Sequence, residues 1–144
     1  MNREGWIEAN DDTIEELFEA VVNCLCGDET KLAVWFVKDD INLSSIKHER
    51  IGAESPFQES KSILAGSGFL IKLDSSNAEK VIQLFFTENY LLSCGITHFQ
   101  IESNGSVQFE VYDNFGVVFF GNKVSIEMLE DLKFRQVICD YKLE

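Results

Sequence analysis

Apolar and polar side chains alternate with period two through Thr97-His98-Phe99-Gln100-Ile101-Glu102 and again through Val107-Gln108-Phe109-Glu110-Val111-Tyr112, the pattern of half-buried strands. Ser103-Asn104-Gly105-Ser106 separates the two runs. A two-residue Asn-Gly turn would set Ile101 against Gln108 and Phe99 against Glu110, mixing the faces, and is not expected. A three-residue loop, with Gly105 left-handed, pairs Ile101 with Val107 and Phe99 with Phe109 and is therefore the expected connection. It places His98 opposite Glu110, Gln100 opposite Gln108 and Ile96 opposite Tyr112 on a polar, acidic outer face.

Helical spacing appears on both sides of this hairpin. Asp12-Thr13-Ile14-Glu15 has the form of a capping box, followed by a stripe of Ile14, Leu17, Phe18, Val21, Val22 and Leu25, with Gly27 as the expected left-handed stop. Val81, Ile82, Phe85, Phe86 and Tyr90 predict a second helix, entered through Ser76-Asn77-Ala78-Glu79 and closed by Gly95. Ser125 caps a third, with Ile126, Leu129 and Leu132 turned inward. Residues 31–38, Lys-Leu-Ala-Val-Trp-Phe-Val-Lys, read as a central strand covered on both faces, and residues 68–73, 117–120 and 136–142 as further strands. Between positions 41 and 66 periodicity fades, leaving an irregular connection with a short helix near residues 44–50. A connection this long is a second candidate contact surface.

Consecutive strands joined by short turns, with amphipathic helices around them, predict one α+β domain over residues 1–144: a mainly antiparallel sheet of about five to six strands packed by two to three helices. Its outer face is expected to be partly wet.

Composition changes the picture through charge. The 25 Asp and Glu against 12 Lys and Arg give a formal net charge of −13. Such a surface repels nucleic acid and anionic membrane and attracts basic partners. Residues 81–122 contain no Lys or Arg, yet carry Glu88, Glu102, Glu110 and Asp113. The four cysteines lack zinc-site spacing and are expected to be small buried residues. With no apolar leader and no run of membrane-spanning length, a cytoplasmic location is expected.

Catalytic chemistry is not signalled. His48 and His98 are the only histidines. A His98–Glu110 pair has no nucleophile placed beside it, and a surface cross-strand contact is the simpler account. Gly66-Ser67-Gly68 precedes a strand, whereas a phosphate-cradling loop follows a strand and opens a helix. Asp39-Asp40 and Asp11-Asp12 lack the spaced oxygen ligands of an EF-hand loop. No catalytic residue, metal or cofactor is expected.

In overall character, and most clearly from Val-Gln-Phe-Glu-Val-Tyr-Asp-Asn-Phe-Gly at position 107 through Leu132, the chain resembles the immunity proteins of bacterial contact-dependent growth-inhibition and polymorphic toxin systems. The resemblance implies a small acidic α+β protein that neutralises a cognate toxin, commonly a nuclease, by covering its basic active-site surface. From the hairpin itself, Glu102, Glu110 and Asp113 are the expected partners of toxin Lys or Arg, with Gln108 and Tyr112 adding hydrogen bonds and an aromatic anchor. Asp39 and Asp40 form the reserve set. The alternative is a DNA-mimicking antagonist of the anti-restriction or anti-CRISPR kind, whose carboxylates stand in rows.

Overall fold

A computed structural model describes residues 3–36, 42–60, 63–64, 67–88 and 96–144. The strands are β1 (Gly5–Ala9), β2 (Thr30–Phe36), β3 (Glu49–Ile51), β4 (Ser67–Lys72), β5 (Ile96–Ser103), β6 (Ser106–Tyr112), β7 (Val117–Phe120) and β8 (Ile138–Leu143). The helices are α1 (Ile14–Leu25), α2 (Ala78–Gln83), which runs on as a π-helical turn (Leu84–Glu88), and α3 (Ile126–Phe134). All eight strands join one antiparallel sheet in the order β3-β4-β2-β5-β6-β7-β1-β8. The α+β class is as expected, but among the described residues the sheet has eight strands rather than five or six.

The two additional strands are β1 and β3. Only Ile7 in β1 is a large side chain turned into the helix-side core, and β3 is three residues long, so neither carries much periodic signal. The helix expected near residues 44–50 is instead a turn leading into β3.

The helices lie on one face of the sheet. There Leu17, Phe18, Val21, Val22 and Leu25 of α1 meet Leu32, Val34 and Phe36 of β2, Phe99 and Ile101 of β5, and Phe109 and Val111 of β6. Phe18 is the hub, with ring centroids 5.3 Å from Phe85, 5.4 Å from Phe86 and 5.4 Å from Phe99. Helix entry differs from expectation: Asn10 accepts from the amide of Asp12 and caps a 3₁₀ turn over Asp11–Thr13, so Asp12 is not the cap and α1 begins at Ile14. The end of α1 is extended at Cys26 rather than left-handed at Gly27. Ser125 caps α3 as expected, accepting from Met128 at 3.3 Å.

The hairpin corrects the expected register. Asn104 (φ 51°) and Gly105 (φ 80°) form a two-residue turn between the paired Ser103 and Ser106. Both lie in the left-handed region, which a type I′ hairpin turn requires. The faces stay sorted because the ladder shifts: Glu102 opposes Val107, whereas Ile101 opposes Phe109, leaving Gln108 as the extra residue of a β-bulge. Phe99 therefore pairs with Val111 and Gln100 with Glu110, and His98 does not face Glu110.

Candidate functional site

The second face of the sheet carries the outward residues of the hairpin, and the connection through residues 52–60 covers its middle. Phe57 packs with Ala33, Trp35 and Val107 in a small apolar cluster beside which Ile51, Leu64 and Leu70 are half-buried. The Trp35 indole donates to the carbonyl of Gly52 at 3.0 Å, which anchors the start of this cover.

Next to that cluster lies a buried polar network. The Gln100 side chain is fully buried; its carbonyl accepts from Ser55 Oγ at 2.6 Å, and its amide donates to Ser60 Oγ at 2.9 Å and to the Tyr112 hydroxyl at 3.0 Å. Tyr112 donates to Glu110 Oε1 at 2.8 Å, and Ser60 Oγ donates to the same oxygen at 3.0 Å. Glu110, 1% exposed, receives an ion pair at 3.0 Å from Arg3, whose guanidinium lies 3.8 Å from the centre of the Phe119 ring. Burial, with the nearby Glu110 charge, pushes the Tyr112 hydroxyl up from its ordinary value, while the bonds from Gln100 and Ser60 oppose the rise. No buried side-chain nitrogen or oxygen among the described residues is left unsatisfied. A satisfied network of this kind fixes one arrangement of its parts. Here it locks the 52–60 connection and the amino-terminal segment to β5 and β6.

This arrangement disperses the expected contact set. Glu110 is sealed under the connection and already neutralised by Arg3, so it presents no surface to a partner. Gln108 is 1% exposed; its side chain accepts from the Lys123 amide at 2.8 Å and ties the bulge to the turn after β7. A β-carbon on Gly121 would stand 2.5 Å from that same oxygen, so a larger residue there must displace the Gln108 amide. Tyr112 is half-buried with its hydroxyl engaged inward. Asp113 is exposed at the far end of the hairpin, where its amide donates to His98 Nδ1 at 3.2 Å. Burial lowers the His98 pKa, against the pull of Asp113. Asp39 and Asp40 lie outside the described residues.

Glu102 remains accessible at the tip end, half-buried and roughly 17–20 Å along the strand from Asp113. It has a neighbour that sequence reasoning did not select. Glu59, exposed at the end of the covering connection, accepts from the Val107 amide at 2.9 Å and Ser106 Oγ at 3.2 Å, so its carboxylate is held over the hairpin tip. Burial raises the Glu102 pKa, Lys31 across the ladder pulls it down, and the Glu59 charge pushes it up. Among the described residues, the tip thus brings the Glu59 charge to bear on Glu102, with Lys31 acting against it. Glu59 sits in the stretch without periodicity, where no local pattern signals this proximity.

Three of the four cysteines also depart from expectation, Cys24 and Cys139 being exposed and Cys26 half-buried, while Cys94 lies outside the described residues. Among the described residues no group of three His, Cys, Asp or Glu side chains is placed to hold a metal ion, and no helix is long and apolar enough to cross a membrane. Comparison of the chain with family models, curated proteins and solved structures finds no match.

Proposed function

We propose that the protein is a stoichiometric inhibitor that docks on a basic partner through the acidic hairpin tip, in the manner of an immunity protein covering the cationic cleft of a nuclease toxin. The observation that carries this reading is the Glu59–Glu102 pair. Two carboxylates held close together, one of them desolvated, raise the free energy of the unbound protein, and a guanidinium or ammonium arriving between them relieves it. The locked connection presents the pair on a rigid support, which lowers the ordering cost of association. The net charge of −13 adds long-range steering toward a cationic surface.

The test is binding to a basic toxin fragment encoded beside this chain. A one-to-one complex is expected, with an association rate that falls as salt rises. No complex with that fragment, or a complex whose association ignores salt, contradicts the reading.

The DNA-mimicry reading has one observation in its favour: Asp11, Asp12, Glu15, Glu16 and Glu19 are all exposed along the start of α1. Glu15 and Glu19 stand one helical turn apart, about 6 Å along the axis, which makes a short row. Charge reversal at Glu15 and Glu19 separates the readings, since mimicry loses binding there and tip docking does not.

A further inference from the structure

Three of the twelve basic residues stand side by side on the second face, at the β3 end of the sheet. Lys31 on β2 is directly opposite Lys72 on β4. The β3–β4 register pairs Glu49 with Leu70, and continuing it by two residues sets Lys47 beside Lys72. Lys47, Lys72 and Lys31 therefore form one cross-strand row at about 4.8 Å spacing. Together with His48, Glu49 and Leu70 they line a cavity of about 300 Å³.

Like charges opposed across a ladder destabilise it. Among the described residues none of the three ammonium groups forms an ion pair. Lys31 feels Glu102 and Lys72 feels Asp74, but neither of those carboxylates lines the cavity. Among the described residues Glu49 is the one acid that does, against three lysines. The His48 ring packs against Phe69, with centroids 5.6 Å apart, and its Nδ1 lies 3.0 Å from the carbonyl of Ile46, so the cationic groups offered to a ligand are the three ammonium groups. A concave cationic site in a chain of charge −13 is a local inversion that composition conceals.

We propose that this row binds a small diphosphate-bearing molecule, with the central Lys72 bridging two phosphoryl groups and Lys31 and Lys47 flanking them. Spacing supports this, because ammonium groups about one strand apart suit oxygens on neighbouring phosphoryl groups. A cavity of about 300 Å³ holds a diphosphate with room to spare. At cavity range the three ammonium groups dominate, whereas a long polyanion spans more than the Debye length of about 8 Å and meets the acidic remainder of the surface. The proposal does not rest on docking at the hairpin tip, although Lys31 borders both sites.

Calorimetric titration of the full chain at low salt with inorganic pyrophosphate, inorganic phosphate and ADP tests it. Saturable one-to-one binding of pyrophosphate is expected, tighter than phosphate. ADP at or above the pyrophosphate affinity identifies a nucleotide ligand, and weaker ADP binding identifies the free diphosphate. Lys72→Gln is expected to weaken pyrophosphate binding about tenfold or more, with Lys133→Gln, on α3, leaving it unchanged. The Tm of unliganded Lys72→Gln should equal or exceed that of the parent, since a repulsive contact is removed. Absence of saturation by roughly 10 mM pyrophosphate, equal effects of the two substitutions, or a lowered Tm for Lys72→Gln would each overturn the proposal.

Discussion

The two faces of the sheet are held by different physics. On the helix side, Phe18 and its neighbours fill volume with side chains whose attraction is non-directional. On the other side, Ser55, Ser60, Gln100, Glu110, Tyr112 and Arg3 interlock through directional bonds, each needing its partner in place. The first face should tolerate shape-preserving exchange and the second should not.

The sharpest way to break this comparison is a matched pair of substitutions. Glu110→Leu keeps approximate volume but leaves the Ser60 and Tyr112 hydroxyls without their acceptor, while the exposed Arg3 turns to solvent, and a loss of about 3–5 kcal/mol is expected in urea unfolding. Phe18→Leu, in an equally buried place, should cost roughly 2 kcal/mol or less, with only Phe18→Ala reaching about 3–5 kcal/mol. Equal losses for Glu110→Leu and Phe18→Leu would show that the polar face is no more exacting than the apolar one.

Cooperativity within the network comes next. A double-mutant cycle on Ser55→Ala and Gln100→Ala should return a coupling of about 0.5–3 kcal/mol, whereas Ser55→Ala combined with Val21→Ala, across the sheet, should be additive within about 0.5 kcal/mol. A smaller effect is expected at the turn: Gly105→Ala, at φ 80°, should lower stability by about 1–2 kcal/mol. No loss would mean that position 105 does not hold the left-handed conformation on which the two-residue turn depends.

Two effects of pH follow. The Tyr112 hydroxyl holds its proton more tightly in the folded state, so its contribution is present below the ordinary tyrosine pKa near 10 and is lost as pH rises through the higher folded value. Tyr112→Phe should remove that alkaline loss from a Tm–pH profile. Glu102 is also raised, so its folded form favours the proton, and the contribution is lost as pH rises from the ordinary value of 4.5 through the folded one. At neutral pH the ionised carboxylate is therefore a mild burden on the free protein. Glu102→Gln should raise Tm slightly there and have no such effect well below pH 4.5. An unchanged neutral Tm would deny that burial and the Glu59 charge together burden the ionised carboxylate.

The same contrast explains what was legible in the chain. Period-two and helical patterns announce Phe99, Ile101, Phe109 and Val111 and the α1 stripe because volume-filling contacts repeat along an element. Polar interlocking has no such period: Ser60 and Glu110 are 50 positions apart, and Arg3 and Glu110 are 107 apart. The alternation around Glu110 correctly placed it off the helix-side core, yet nothing local disclosed that the 52–60 connection would bury it. Asn104-Gly105 is itself the stronger turn signal, and the bulge at Gln108 reconciles it with the sorted faces. Of the expected contact residues, Glu102 keeps an accessible place at the tip, while its neighbour Glu59 comes from the segment where periodicity fades.

The most direct measurement is the affinity of a variant carrying Glu102→Lys and Glu59→Gln for the adjacent-encoded toxin fragment, with Tm followed in parallel. The amide introduced by Glu59→Gln retains an oxygen for the Val107 amide, so the fold is expected to hold. A loss of roughly 100-fold or more in a variant that still unfolds cooperatively is the predicted result; parental affinity in a folded variant would contradict docking through the hairpin tip.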